Sequence, residues 1–132
     1  MATIFTKIVQ GEIPAFKVAE NNEFLAFLDI NPLVLGHTLV IPKQEIDYVF
    51  DVDDDVLGRM MIFSKKVAKA IEQVIPCKKI GVAVIGLEVP HCHIHLVPMN
   101  AISDITFTQP KLNPTKEELE KVCKLISDKI IL

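Results

Sequence analysis

The chain has 132 residues, half of them apolar, with 17 acidic and 14 basic side chains and a net charge of −3 when the histidines are neutral. That slight acidity argues against a broad basic face for a nucleic-acid polymer or an anionic membrane, while leaving room for a small phosphorylated ligand held by local donors. No apolar run approaches the ~18 residues of a membrane span, and the scattered Cys77, Cys92 and Cys123 form neither a disulfide framework nor a Cys-rich zinc site.

Lys7 and Gln10 interrupt any early signal-like run, so the expectation is one domain over residues 1–132 in a reducing cytoplasm. Residues 3 to 10 predict a short helix with Ile4, Phe5, Ile8 and Val9 on one side, stopped by Gly11 and Pro14. Residues 16 to 20 and 23 to 29 read as strands around an Asn21-Asn22 turn. After a loop bounded by Asn31-Pro32 and Gly36, His37 to Ile41 forms a third strand that Pro42 ends. A central amphipathic helix follows. Val56, Leu57, Met60, Met61, Ser64, Val67, Ala68, Ile71, Val74 and Ile75 recur at steps of three and four, and Pro76 closes the pattern. Asp53, Asp54 and Asp55 crowd its start, where the helix dipole favours negative charge.

Lys79 to Ile85 and His91 to Val97 give a fourth and a fifth strand. Thr115, with Glu118 three residues on, forms a capping box that opens a C-terminal helix. Its apolar stripe is Leu119, Val122, Cys123, Ile126 and Ile130. Short turns between strands, with amphipathic helices to cover them, imply an α+β fold: an antiparallel five-stranded sheet, a central amphipathic helix, a short N-terminal helix and a C-terminal helix.

Three of the four histidines fall on alternate residues in H-C-H-I-H-L-V-P, residues 91 to 98. Side chains alternate faces along a strand, so His91, His93 and His95 share one face and Cys92, Ile94 and Leu96 the other. The second row is plain core. The first row has three readings. It can be a solvated sheet face. It can be a metal site, since two alternate histidines chelate zinc at ~2.0–2.1 Å from each nitrogen, with His37 or a carboxylate completing the set. It can be a nucleophilic site acting on phosphorus. A neutral imidazole is a nucleophile near neutral pH, its tautomer is fixed when one ring nitrogen is hydrogen-bonded, and flanking histidines can donate to phosphate oxygens or the leaving group. The last reading uses all three positions, with the middle one as nucleophile.

H-x-H-x-H with an upstream G-H-x-L-V-I-P resembles the histidine-triad (HIT) family of nucleotide-binding proteins and hydrolases. TIFTKIVQGEIPA at residues 3 to 15, FLAFLDINP at 24 to 32 and GHTLVIPK at 36 to 43 follow the family's order, so the resemblance spans residues 3 to about 100. It implies attack on the α-phosphorus of a nucleoside 5′-phosphoryl compound, with His93 as the residue that carries the nucleotidyl group. His95 then matches the histidine facing phosphate or leaving-group oxygen. His91 matches the support of the nucleophile through ring and carbonyl, and His37 matches a fourth, supporting histidine. Asp29 matches the carboxylate for the ribose hydroxyls, and Phe5, Ile8, Ile13, Phe27 and Ile30 the apolar slot for the base.

The stretch Val84 to Pro90 departs from the family pattern: it is shorter and lacks the amide and hydroxyl expected before the histidines. The backbone N–H groups of Glu88 and Val89 then remain as phosphate donors. The ligand implied is a purine nucleoside monophosphate or a nucleotide conjugate. No metal or other cofactor is required for the attack, although a divalent cation can accompany a polyphosphate substrate. By resemblance the chain is a homodimer. A nucleoside phosphoramidate hydrolase, a dinucleoside polyphosphate hydrolase, a nucleotide-binding module with negligible turnover and a zinc-binding regulator all stay open.

Overall fold

The structure, a computed structural model, describes residues 2–132. Thr3 caps a six-residue helix, α1 (Ile4–Val9), its side chain accepting from the Thr6 N–H. Strands β1 (Lys17–Glu20), β2 (Phe24–Leu28) and β3 (Thr38–Pro42) follow. The Asn21 side chain accepts from the N–H groups of Glu23 and Phe24, which closes the first turn. The long helix α2 (Asp54–Val74) begins after Asp53, with Asp54 and Asp55 in its first turn. β4 (Lys79–Ala83), β5 (Ile94–Met99) and α3 (Lys116–Ser127) complete the order. Thr115 and Glu118 form the reciprocal capping box at the start of α3.

The strands form one sheet in the order β1-β2-β3-β5-β4, every neighbouring pair antiparallel. Both faces of its middle are covered, so every residue of β2 and of β3 is buried. On one face, Val18, Phe24, Ala26, Val40, Ile94 and Leu96 pack with Met60, Phe63, Val67 and Ile71 of α2 and Leu119, Val122 and Ile126 of α3. On the other, Leu25, Phe27, Leu39 and Ile41 pack with Phe5 and Ile8 of α1. Three residues of α2 differ from the helical pattern read in the sequence, Ala70 among them as a further buried core residue. Phe63 is buried in the core, whereas Met61 lies on the exposed side of the helix.

The fifth strand starts three residues later than its alternation predicts. The Cys92 N–H donates to the Ile46 carbonyl at 2.6 Å and the His91 N–H to the Val89 carbonyl at 2.8 Å, so these groups are spent outside the ladder. The backbone at 91 to 93 therefore runs beside the sheet and joins it only at Ile94. β4 ends at Ala83 rather than Ile85, leaving Val84 and Ile85 exposed. Among the described residues, no helix is long and apolar enough to cross a membrane.

Candidate active site

The α1 face of the sheet carries all four histidines, and their burial is nearly complete. His91 is 0% exposed, His37 1%, His93 7% and His95 8%. Cross-strand pairing sets His95 opposite Leu39, which places its ring beside His37 on the neighbouring strand's entry. The His93 and His95 rings lie edge to face with centroids 4.9 Å apart, and the Phe5 ring stands 5.0 Å from His93 and 5.8 Å from His91.

Hydrogen bonds fix which nitrogen carries each proton. His93 Nδ1 lies 2.8 Å from the His91 carbonyl, which can only accept, so the proton sits on Nδ1 and Nε2 presents a lone pair. His37 Nδ1 accepts from the Leu33 N–H at 3.1 Å, so its proton sits on Nε2 and is donated to His95 Nδ1 at 2.9 Å. His95 is thereby left with its proton on Nε2, available to an incoming oxygen or nitrogen. His91 donates from Nε2 to the Pro42 carbonyl at 2.8 Å and accepts at Nδ1 from the Thr3 hydroxyl at 2.9 Å. A lone pair on one central ring and an N–H on its neighbour can together attack a phosphorus centre and hold one of its oxygens.

Burial favours the neutral form of His37, His91 and His95. It is the main cause that lowers His37 to about 4 and His95 to about 3, while the Asp29 carboxylate pulls His37 back toward its ordinary value and the neighbouring histidines push His95 further down. Burial lowers His91 as well, against the stabilising Pro42 carbonyl. Cys92, on the opposite face of the same segment, is pushed up to about 11 by burial and stays a thiol.

Of the other residues singled out in the sequence, Phe5, Ile8 and Phe27 meet in one buried cluster, with Ile13 and Val89 packed against it. Phe5 and Phe27 contact edge to face at 5.5 Å, so the apolar cluster and the histidines share one aromatic wall. Ile30 does not join them; it sits just past the end of β2 and is 58% exposed. Asp29 lies with Oδ2 3.9 Å from His37 Nε2, while its Oδ1 accepts from the Asn31 N–H and closes the turn after β2. The Glu88 side chain is exposed, and the N–H groups of Glu88 and Val89 make no hydrogen bond among the described residues.

Several residues in the site were not evident from the sequence. Glu45 Oε1 accepts from the Thr6 hydroxyl at 2.6 Å and the Thr3 N–H at 2.8 Å, so a carboxylate clamps the start of α1 onto His91. Thr3 had a local signal as a helix cap, but nothing local ties it to a ring 88 residues away. Phe107, in the irregular segment after β5, stands edge to face on His95 at 4.7 Å and on His37 at 6.4 Å. Surface clefts of about 210, 390 and 350 Å³ are lined chiefly by α2, α3 and the C-terminal residues, away from the histidines. Among the described residues, no group of three or more His, Cys, Asp or Glu is arranged to hold a metal ion.

Comparison with known proteins points to one family. The HIT domain profile matches residues 10–102. An adenosine 5′-monophosphoramidase of Schizosaccharomyces pombe is 36% identical over 98% of this chain and 99% of its own length. An uncharacterised HIT-like protein of Borreliella burgdorferi is 36% identical over 94% of this chain and 95% of its own. The crystal structure of a Hit-like protein from Bartonella henselae superposes with a TM-score of 0.83 at 30% identity, covering 97% of this chain and 96% of that one. Histidines at alternate positions gathered on one side of the sheet, the five-stranded antiparallel fold that positions them and these similarities lead to one conclusion: this chain belongs to the HIT family.

Proposed function

We propose that this protein hydrolyses nucleoside 5′-phosphoramidates, or related nucleoside 5′-phosphoryl compounds, at the α-phosphorus. The reaction runs through a nucleotidyl group carried on His93 Nε2. The observation that carries this reading is the 2.8 Å hydrogen bond from His93 Nδ1–H to the His91 carbonyl, which leaves Nε2 unprotonated on a ring that stands beside His95. The naming of the fission-yeast relative as an adenosine 5′-monophosphoramidase supports the same class of substrate.

In the first step the Nε2 lone pair attacks phosphorus, and the bond from phosphorus to the leaving group breaks with its electron pair going to the leaving atom. An amine departs neutral from the form already protonated by solvent at the bridging nitrogen; a phosphate departs as the anion. The His91 carbonyl holds the positive charge that develops on the His93 ring through Nδ1–H. His95 Nε2–H donates to an oxygen of the phosphoryl group. Because its Nδ1 already accepts from His37, His95 acts as a neutral donor rather than as a source of net proton. Water then attacks phosphorus, the bond to His93 breaks with its pair returning to Nε2, and a proton of the water passes to solvent. The product is a nucleoside 5′-monophosphate.

The cluster around Phe5, Ile8 and Phe27 is the natural wall for a purine base, Asp29 Oδ2 an acceptor for ribose hydroxyls, and the Glu88 and Val89 N–H groups phosphate donors. Homodimerisation fits the exposed Val82 of the edge strand β4 and the Val84 and Ile85 that follow it.

His93→Ala tests the reading. Turnover of adenosine 5′-phosphoramidate is expected to fall by about 10³-fold or more, as on loss of other covalent nucleophiles, while AMP still binds in calorimetry. If wild-type protein binds AMP but turns over no phosphoramidate or dinucleotide, the chain is a binding module and the hydrolase reading is wrong.

A further inference from the structure

The backbone at 91 to 93 lies outside the ladder, so no neighbouring strand holds the carbonyl that orients the His93 ring. Residues 42 to 46, where β3 ends and its loop begins, take over that task. The Pro42 carbonyl accepts from His91 Nε2–H at 2.8 Å, and the Ile46 carbonyl accepts from the Cys92 N–H at 2.6 Å. Between them, Glu45 Oε1 reaches the start of α1 and accepts from the Thr6 hydroxyl at 2.6 Å and the Thr3 N–H at 2.8 Å.

Proton counting fixes what Thr3 then does. The Thr6 hydroxyl has one proton, and Glu45 takes it. The Thr6 N–H is spent on Thr3 Oγ1. His91 Nδ1 carries no proton, because Nε2 donates to Pro42, so it accepts the Thr3 hydroxyl proton at 2.9 Å.

We propose that Glu45 is a positioning residue for the nucleophile: through Thr3 it holds the His91 ring, and with that ring the carbonyl that keeps the His93 proton on Nδ1. This rests on the reading of His93 above and deepens it, carrying the support of the nucleophile to a carboxylate outside the histidine cluster.

The path is continuous. Its contacts, from Glu45 to the Thr3 N–H, from the Thr3 hydroxyl to His91 Nδ1 and from the His91 carbonyl to His93 Nδ1, measure 2.8, 2.9 and 2.8 Å. His91 is fully buried with both ring nitrogens spent, so its ring cannot turn without losing bonds that water is not there to replace. The Thr6 hydroxyl and then the Thr3 N–H hold the Glu45 carboxyl below the usual carboxylate range, so it accepts as an anion at neutral pH. Phe5, between Thr3 and Thr6, is held separately by buried packing with Ile8 and Phe27. Removing the carboxylate therefore loosens His91 and leaves the apolar wall in place.

The test uses the full chain and adenosine 5′-phosphoramidate. In Glu45→Ala, kcat is expected to fall about five- to tenfold with KM changed less than about twofold, a smaller loss than on removing a direct partner of an active-site histidine. Glu45→Gln keeps an oxygen that can accept the same two bonds and is expected to restore most of kcat. Thr3→Val should match Glu45→Ala, and the double variant should be no worse than the poorer single, as for residues on one path. Proton–nitrogen correlation spectra of the imidazoles at mildly alkaline pH give a readout independent of turnover. Wild type should show the His93 proton on Nδ1, Glu45→Ala a mixture of both tautomers, and Glu45→Gln a return to Nδ1. An unchanged tautomer or kcat in Glu45→Ala, additive losses in the double variant, or a loss carried by KM alone overturns the assignment. If the wild type turns over no phosphoramidate, the hydrolase reading falls, and the tautomer spectra still decide the role of Glu45.

Discussion

On one face of the sheet, Phe24, Val40, Ile94 and Leu96 meet α2 and α3 in an apolar layer that ordinary side-chain packing explains. On the other, Leu39 and Phe27 share the layer with buried imidazoles, each locked by named donors and acceptors. The two faces are built from the same strands, and β5 contributes Ile94 and Leu96 to one and His95 to the other. Apolar burial is non-directional, so the first face needs only residues of about the right size. The histidine face has to satisfy every polar atom it buries, and among the described residues no buried side-chain nitrogen or oxygen lacks a partner. The first face supplies stability; the second spends it on orientation.

Substitutions should separate the two faces. Leu96→Ala is expected to cost about 2–5 kcal/mol, the range for a buried leucine truncated in a packed core. Denaturant unfolding measures it, and the turnover of the folded fraction should stay near the wild-type value. An equal loss of turnover in fully folded protein would mean that the two faces are not separable.

His37→Phe makes the converse change. It keeps a ring of similar bulk but removes the donor to His95 Nδ1, freeing His95 to place its proton on either nitrogen. A loss of about 10- to 100-fold in kcat is expected, the scale seen when a partner that orients an active-site histidine is removed. AMP affinity should change little, and an unchanged kcat would show that the tautomer lock is irrelevant.

A smaller effect near neutrality concerns pH. His37 and His95 titrate at about 4 and about 3 in the folded chain, chiefly because they are buried, against ~6.5 when unfolded. Their folded values are depressed, so their contribution to stability is fully present above about pH 6.5 and is lost as pH falls toward 4 and then 3. Urea midpoints should therefore change little from pH 8 to 7 and drop progressively from pH 6 to 4. Midpoints in His37→Phe should fall less steeply over that interval.

What the sequence makes legible follows the same division. The alternation from His91 to Val97 identifies the core row Cys92, Ile94 and Leu96, and the helical spacing of Met60, Val67 and Ile71 identifies the layer above it. Both signals are local and periodic. The histidine row is legible as a cluster, yet its first two members lie outside the strand, because the backbone at 91 to 93 bonds to Ile46 and to the His93 ring instead of to a neighbouring strand. Thr3 and Thr6 reach His91 across long stretches of chain, with Glu45 holding both, and Phe107 comes from a segment with no period at all. Contacts of that kind leave no local trace. Ile30 is the reverse case: an apolar residue next to Asp29 that the turn after β2 points outward.

The proposed reaction turns on a covalent bond between phosphorus and His93 Nε2. The direct measurement is to mix the protein with a slowly hydrolysed adenosine phosphoramidate, quench in conditions that spare phosphorus–nitrogen bonds, digest, and weigh the peptides. An added adenylyl mass on the peptide containing His93, lost in His93→Ala, is the result expected. Product formation with no adduct at any quench time, or an adduct on His95 or His91 instead, would contradict the assignment of the nucleophile.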